Sequence, residues 1–259
     1  MLTAIDGLRI NQPPSLSNLE ARPVAPSAHP FVPEAAMRIP FSAMPEDRNR
    51  VTLLGLLLAT LAVLAWSGIG PRDRVTWVLE TFPVMLAVPL LLATYRRFPL
   101  TTLAYVLIFL HAVILCIGGH YTYAEVPAFN WLRDEFHLSR NHFDRVGHFA
   151  QGFVPAVIAR EVLLRTSPLR RGKWLFFLVV CVCGTISAFY ELIEWWAAVL
   201  SGDNATAFLA TQGDQWDTQK DMALALIGAV LAQVLLCRLH DRQLVAHAPA
   251  ARTGAEAEA

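Results

Sequence analysis

Six stretches of this 259-residue chain are apolar over nearly the length that crossing a bilayer demands, about 20 residues at roughly 1.5 Å of rise each. They fall at 51–69, 76–95, 100–119, 146–164, 174–200 and 217–237. A backbone in hydrocarbon must satisfy its own hydrogen bonds, so segments of this length are helices. The fold class predicted is all-α: a polytopic membrane helix bundle of about six transmembrane helices. Composition agrees, since 55% hydrophobic residues, 16% charge and a mean hydropathy of +0.43 are too apolar for a water-soluble domain of this size.

The flanks read differently. Residues 1–50 hold eight prolines and no apolar run, too little to offset chain entropy, which predicts a disordered Pro-rich tail. They lack the basic start and apolar stretch of a signal peptide. The transmembrane domain is expected over 51–237 and a polar C-terminal tail over 238–259. Pro83 and Pro155 fall inside the second and fourth spans, where neighbouring groups must satisfy the freed carbonyls. The four cysteines have no metal-site spacing and read as small buried hydrophobes.

Net charge is zero and the basic residues are spread over short loops, so no nucleic-acid partner is expected. Their distribution sets orientation. One side receives ten Lys and Arg, from Arg48 and Arg50 through Arg96, Arg97 and the run "RTSPLRRGK" at 165–173 to Arg238 and Arg242. The other receives six: Arg72, Arg74, Arg133, Arg140, Arg145 and Lys220. This predicts a multi-pass protein of the cytoplasmic membrane with both termini in the cytoplasm. Oligomeric state is not legible.

In that topology three helices aim acidic faces from the outer side. Span four starts with Asp144 and His148, spaced i,i+4 and extended by Gln151 on the same face. Span five carries Glu191 and Glu194 in "YELIEWW", again on one face and below its outer end. Span six starts with "QGDQWDTQKDM", in which Asp214, Asp217 and Asp221 recur every three or four residues. Charge at bilayer depth costs about 2.5–3.5 kcal/mol per group, so such residues face one another or a wet cavity. Together they predict one acidic pocket between spans four, five and six.

A structural reading competes with this. Arg140, Arg145, Lys220 and Arg133 are placed to neutralise the acids, and Asp144, Asp214 and Asp217 sit where helix starts favour carboxylates. Trp131, Trp195, Trp196 and Trp216 read as interfacial aromatics. His111, mid-span, is either functional or bonded to a neighbouring helix. Glu80 reads as interfacial, the Glu161–Arg165 pair as structural, and the stretch 118–132 as a lid or interfacial loop.

The stretches "HYTYAEVP", "SRNHFDRVGHFAQGF", "YELIEWW" and "QGDQWDTQKDM" together resemble the YjdF-like family of bacterial inner-membrane proteins, over roughly 115 to 230. The resemblance implies a location and a fold type, not an activity. More distantly the chain is similar to VanZ-like membrane proteins. Their Asp-Lys-x-x-His-Phe, Glu-x-x-Gln and Asp-x-x-x-Asn pattern corresponds here to Asp144, Arg145, His148 and Phe149, then Glu191 and Glu194, then Asp217, Asp221 and Gly228. Where those relatives carry amides this chain carries acids, which suits a cation.

Three functional classes follow. In an enzyme acting at the outer face on a lipid or envelope intermediate, a divalent metal ion would be held by His148, Glu191, Glu194, Asp217 and Asp221. Asp144 would orient His148 or act as general base, which makes Asp144 and His148 the candidate catalytic pair. In a cation- or proton-coupled carrier the same acids would titrate during transport, but such a path needs ionisable residues at several depths. In a non-catalytic scaffold they would hold helices together. No nucleotide loop, nucleophile elbow, haem or flavin motif is present.

Overall fold

The structure, a computed structural model, describes residues 47–201 and 212–247. Among these are α1 (Asp47–Ser67), α2 (Arg74–Thr94), α3 (Thr102–Tyr121), a 3₁₀ turn (Tyr123–Glu125), α4 (Pro127–Glu135), α5 (Phe143–Thr166), α6 (Lys173–Ser201) and α7 (Asp217–His247), with no strand. The expected tail lies outside the described residues up to residue 46, as does most of the loop before α7.

Local chemistry sets the boundaries. Asp73 caps α2 by accepting from the Thr76 amide at 2.6 Å, and Thr101 caps α3 through the Ala104 amide. Pro127 opens α4, where a missing N–H costs nothing. Ahead of α5, the Asn141 side chain accepts from the Phe143 amide at 3.0 Å.

Burial is inverted relative to a water-soluble bundle. Leu54, Leu58, Phe82, Leu86, Phe177 and Leu235 are exposed, while Glu80, Asp144, His148, Glu161, Asp221 and His240 are buried. Only a solvent that favours apolar surface permits this, and the bundle is that of a polytopic membrane protein. Among the described residues five helices, α1, α2, α3, α6 and α7, are long and apolar enough to cross a membrane. The fourth expected span, α5, carries Asp144, Arg145, Arg160, Glu161 and Arg165 and does not meet that test of composition. It is instead the inner helix, packed against α3, α6 and α7.

The helices alternate in direction. At one end α1, α2 and α3 meet where His120 Nδ1 lies 3.0 Å from the Ser67 carbonyl and Trp77 donates to Ser67 Oγ at 3.0 Å. At the other end Glu161 of α5 accepts from the Thr101 amide and hydroxyl at the start of α3, and Arg165 donates to the Pro99 carbonyl. The end of α5 therefore meets the start of α3, and the two run antiparallel.

The α5–α7 crossing is the tightest in the bundle. A Cβ on Gly152 would collide with the Ala225 backbone and one on Gly228 with the Phe149 carbonyl. Ala156, Ala229 and Ala232, all fully buried, continue the seam, a small-residue interface of the kind that lets membrane helices approach to backbone contact. Below it an apolar core of Leu100, Leu107, Val154, Val157, Leu175 and Val179 closes the bundle.

The last helix runs past the expected end of its span at 237, since α7 continues to His247. Its extra turns are held by side chains. Arg160 donates to Asp241 at 2.7 Å and pairs with His240 Nδ1 at 3.0 Å, while His240 Nε2 meets Glu161 at 3.1 Å.

Candidate functional site

The acidic residues of the three helices do converge, and they do so in two layers. The outer layer is an ion-pair network. Arg140, just before α5, bonds Asp217 at 2.5 Å and Asp144 at 3.2 Å. Arg145 bonds Asp214 at 3.1 Å, Asp217 at 2.5 Å and also Asp221. Lys220 adds a contact to Asp214 at 2.6 Å, and that bond, followed by the Trp216 amide, holds the Asp214 carboxyl below the usual range. Arg133 does not join; it pairs with its neighbour Asp134.

The inner layer is built around His148, which is buried on α5. Its Nε2 lies 3.3 Å from Asp144 Oδ1 and 3.9 Å from Asp221 Oδ2. Its Nδ1 lies 3.3 Å from Gln151 Oε1 and 3.7 Å from Glu191 Oε1. Both ring nitrogens thus face oxygen acceptors, an arrangement suited to a doubly protonated ring or to one that shares its oxygens with a metal ion. The Oε1 of Glu191 is buried and accepts no hydrogen bond.

Ligand-capable atoms gather in two overlapping groups, Asp144–His148–Asp221 and His148–Glu191–Glu194, each within 4.8 Å. Asp217 belongs to neither and serves both arginines instead. Of the expected metal ligands, Glu191, Glu194 and Asp221 gather around the His148 imidazole, and Asp217 stands in the outer layer. A mixed imidazole and carboxylate set fits Zn²⁺, Mn²⁺ or Fe²⁺, and the carboxylates alone fit harder ions.

Glu80 overturns its interfacial assignment. It is only 4% exposed and accepts from the Tyr190 hydroxyl at 3.0 Å, so a fourth helix brings a carboxylate to the site. Tyr123 reaches it from the 3₁₀ turn. Thr122 precedes it at φ 61°, a strained conformation for a β-branched residue, and the ring lies where any side chain on Gly118 or Gly147 would stand. Burial first, then the Glu80 and Asp144 carboxylates, pushes the Tyr123 phenol well above its ordinary range, so it remains a donor.

These residues close one end of a cavity of about 790 Å³ between α1, α2, α3, α5 and α6. Glu80, Tyr123, Asp144, His148, Tyr190 and Glu194 form the polar end. Leu57, Val84, Ala87, Ala112, Leu115 and Val154 wall the shaft, His111 lies along it, and Arg50, Tyr95 and Arg96 mark the far end. The stretch 118–132 is not a loose lid. It comprises the end of α3, the 3₁₀ turn and part of α4, tied down by Arg72–Glu125 at 3.3 Å and by Asn141 donating to Asn130 at 2.9 Å.

Sequence reasoning missed Glu80 and Tyr190 of the site and the whole His240–Glu161 contact at the other end. The missed signal for His240 is periodic: Asp221, Ala225, Ala229, Ala232, His240 and Leu244 share the buried face of α7.

The sequence pattern of a protein family described as "Predicted membrane protein (DUF2238)" matches residues 52–242. The chain is 54% identical over 198 residues to the curated "Inner membrane protein YjdF" of Escherichia coli (strain K12), a match that covers 74% of this chain and 95% of that protein. No solved structure matches.

Proposed function

The chain belongs to the family described as predicted membrane protein (DUF2238), and we propose that it is an inner-membrane protein whose His148 centre holds a divalent cation and acts on a lipid or envelope intermediate. The observation that carries this reading is Glu191 Oε1, a buried carboxylate oxygen without a hydrogen bond, 3.7 Å from the Nδ1 of His148, which itself lines the polar end of a large apolar cavity. An orphaned buried acceptor costs about 1–3 kcal/mol or more, and a cation removes that cost.

His148, Glu191 and Glu194 would hold the ion, with Asp221 at the edge of the set. When bound, the ion would polarise a substrate oxygen or activate water. Asp144 touches His148 Nε2 and orients the ring, as a carboxylate behind a metal-ligating histidine does. Asp217, held by Arg140 and Arg145, positions the arginines that in turn fix Asp144 and Asp221. The relative's name supports an inner-membrane location, and the distribution of Lys and Arg supports cytoplasmic termini with the His148 end outside.

Charge favours a bound cation over a plain salt-bridge scaffold. Arg140, Arg145 and Lys220 pair with Asp144, Asp214, Asp217 and Asp221, while Glu80, Glu191 and Glu194 stand deeper, around Tyr190 and His148. A carrier reading gains from the second charged cluster at Glu161 and His240, which supplies ionisable groups at another depth. The apolar seam between the clusters offers no polar path along α5 and α7, so the enzyme reading stands first.

The test is elemental analysis of purified wild type beside Glu191→Gln and Asp217→Asn. Near-stoichiometric metal in wild type and Asp217→Asn, lost in a folded Glu191→Gln protein, is the expected outcome. Wild type that takes up none of Mg²⁺, Ca²⁺, Mn²⁺ or Zn²⁺ removes the metal centre and leaves the carrier and scaffold readings.

A further inference from the structure

We infer that the cavity between α1, α2, α3 and α5 seats a single-chain amphiphile, its apolar chain along the shaft and a cationic amine headgroup against Glu80 and Glu194. This deepens the proposed function by naming the substrate class, and rests on that reading only in placing a reacting group beside His148.

The first argument is shape. The cavity runs from the Glu80 and His148 end to Arg50 and Arg96 at the other end of the same helices, and its volume of about 790 Å³ is within the range of sites that enclose a whole small ligand. Its walls are leucine, valine, alanine and proline for most of that length, and Val84, Ala112 and Leu115 of that wall belong to a buried cluster. An apolar chain is the ligand such a shaft accepts from the surrounding lipid.

The second argument is charge. The polar end presents the carboxylates of Glu80, Asp144 and Glu194. The arginines nearest in sequence, Arg140 and Arg145, are directed into the outer layer, toward Asp217, Asp144 and Asp221. Even a divalent ion added to Arg140, Arg145 and Lys220 does not match the carboxylates gathered here, which still outnumber the positive charges. Glu80 lies outside both ligand groups, so it keeps its acceptor role toward Tyr190. A headgroup that donates hydrogen bonds and carries positive charge matches this end, whereas a bare phosphate is repelled.

The experiment uses photoactivatable alkyl chains of one length, ended in an amine or in a phosphate, irradiated in membrane vesicles containing the full chain and mapped by peptide. The amine probe is expected to label the cavity-facing peptides of α2 and α3, and to exceed the phosphate probe there by about tenfold. Ala87→Phe, which fills the shaft without touching a charged group, is expected to abolish that labelling with metal content unchanged. Glu80→Gln is expected to erase the preference for amine. Equal labelling by both probes in wild type, cavity labelling indifferent to Ala87→Phe, or no cavity labelling overturns the inference. Cavity labelling that obeys these rules in a protein free of metal retains it while removing the metal centre.

Discussion

His240 and Glu161 meet across the α5–α7 interface, Nε2 to Oε2 at 3.1 Å, with neither residue more than 1% exposed. Thr101 and Arg165 complete the coordination of the same carboxylate. Three helices are thereby tied at a point where an unpaired charge would have no solvent. Replacing Glu161 by Ala is expected to destabilise the protein by about 3–5 kcal/mol, the range for breaking a buried pair, read as a lower thermal midpoint in detergent. Asp241→Ala, whose partner Arg160 keeps His240, is expected to cost less.

The Gly152 and Gly228 crossing admits no Cβ. Gly152→Ala and Gly228→Ala are each expected to lower stability by at least about 1–3 kcal/mol through forced separation of α5 and α7. Gly55, on the exposed face of α1 with nothing within 4 Å, supplies the control. Gly55→Ala is expected to be neutral or stabilising by up to about 1 kcal/mol. Equal losses at all three positions would contradict the packing described.

At the His148 centre, Asp144→Asn is expected to weaken metal affinity about 10–100-fold, the usual effect of removing a carboxylate that orients a ligating histidine. Glu191→Gln is expected to abolish stoichiometric binding. Titration calorimetry with the metal alone measures both, and an Asp144→Asn protein with unchanged affinity would show that the ring needs no orienting group.

The α2 cap carries a pH signature. The Thr76 amide holds the Asp73 carboxyl below its ordinary value. Its folded pKa is therefore depressed, and its stabilisation is fully present above the unfolded value of about 4 and lost as pH falls through the folded one. Asp73→Ala is expected to cost about 1 kcal/mol near neutrality, and the difference between variant and wild type is expected to shrink on acidification. Thermal midpoints across that range provide the check.

Much of this was legible in the chain itself, for identifiable reasons. Apolar length placed α1, α2, α3, α6 and α7, because lipid leaves the backbone no alternative to helix. Helical spacing put Asp144 with His148 and Glu191 with Glu194, since both pairs lie within one element. Contacts between elements were harder to read. Nothing in the spacing of Arg140 indicates that it meets Asp217 across 77 residues, or that Glu80 is turned inward toward Tyr190. The fall in hydropathy at "CRLHDR" concealed the last turns of α7, whose charged residues are buried by partners on α5 rather than presented to water.

The small-residue seam has a further consequence in electrical terms. His148 and Glu161 are thirteen residues apart on α5, about 20 Å along the axis, and between them α5 and α7 touch backbone to backbone at Gly152 and Gly228. That contact leaves no room for a file of water along this interface, so it acts as a dielectric seal between two buried charged centres. Charge gained at His148 is therefore answered, along this interface, by its own shell of carboxylates and arginines.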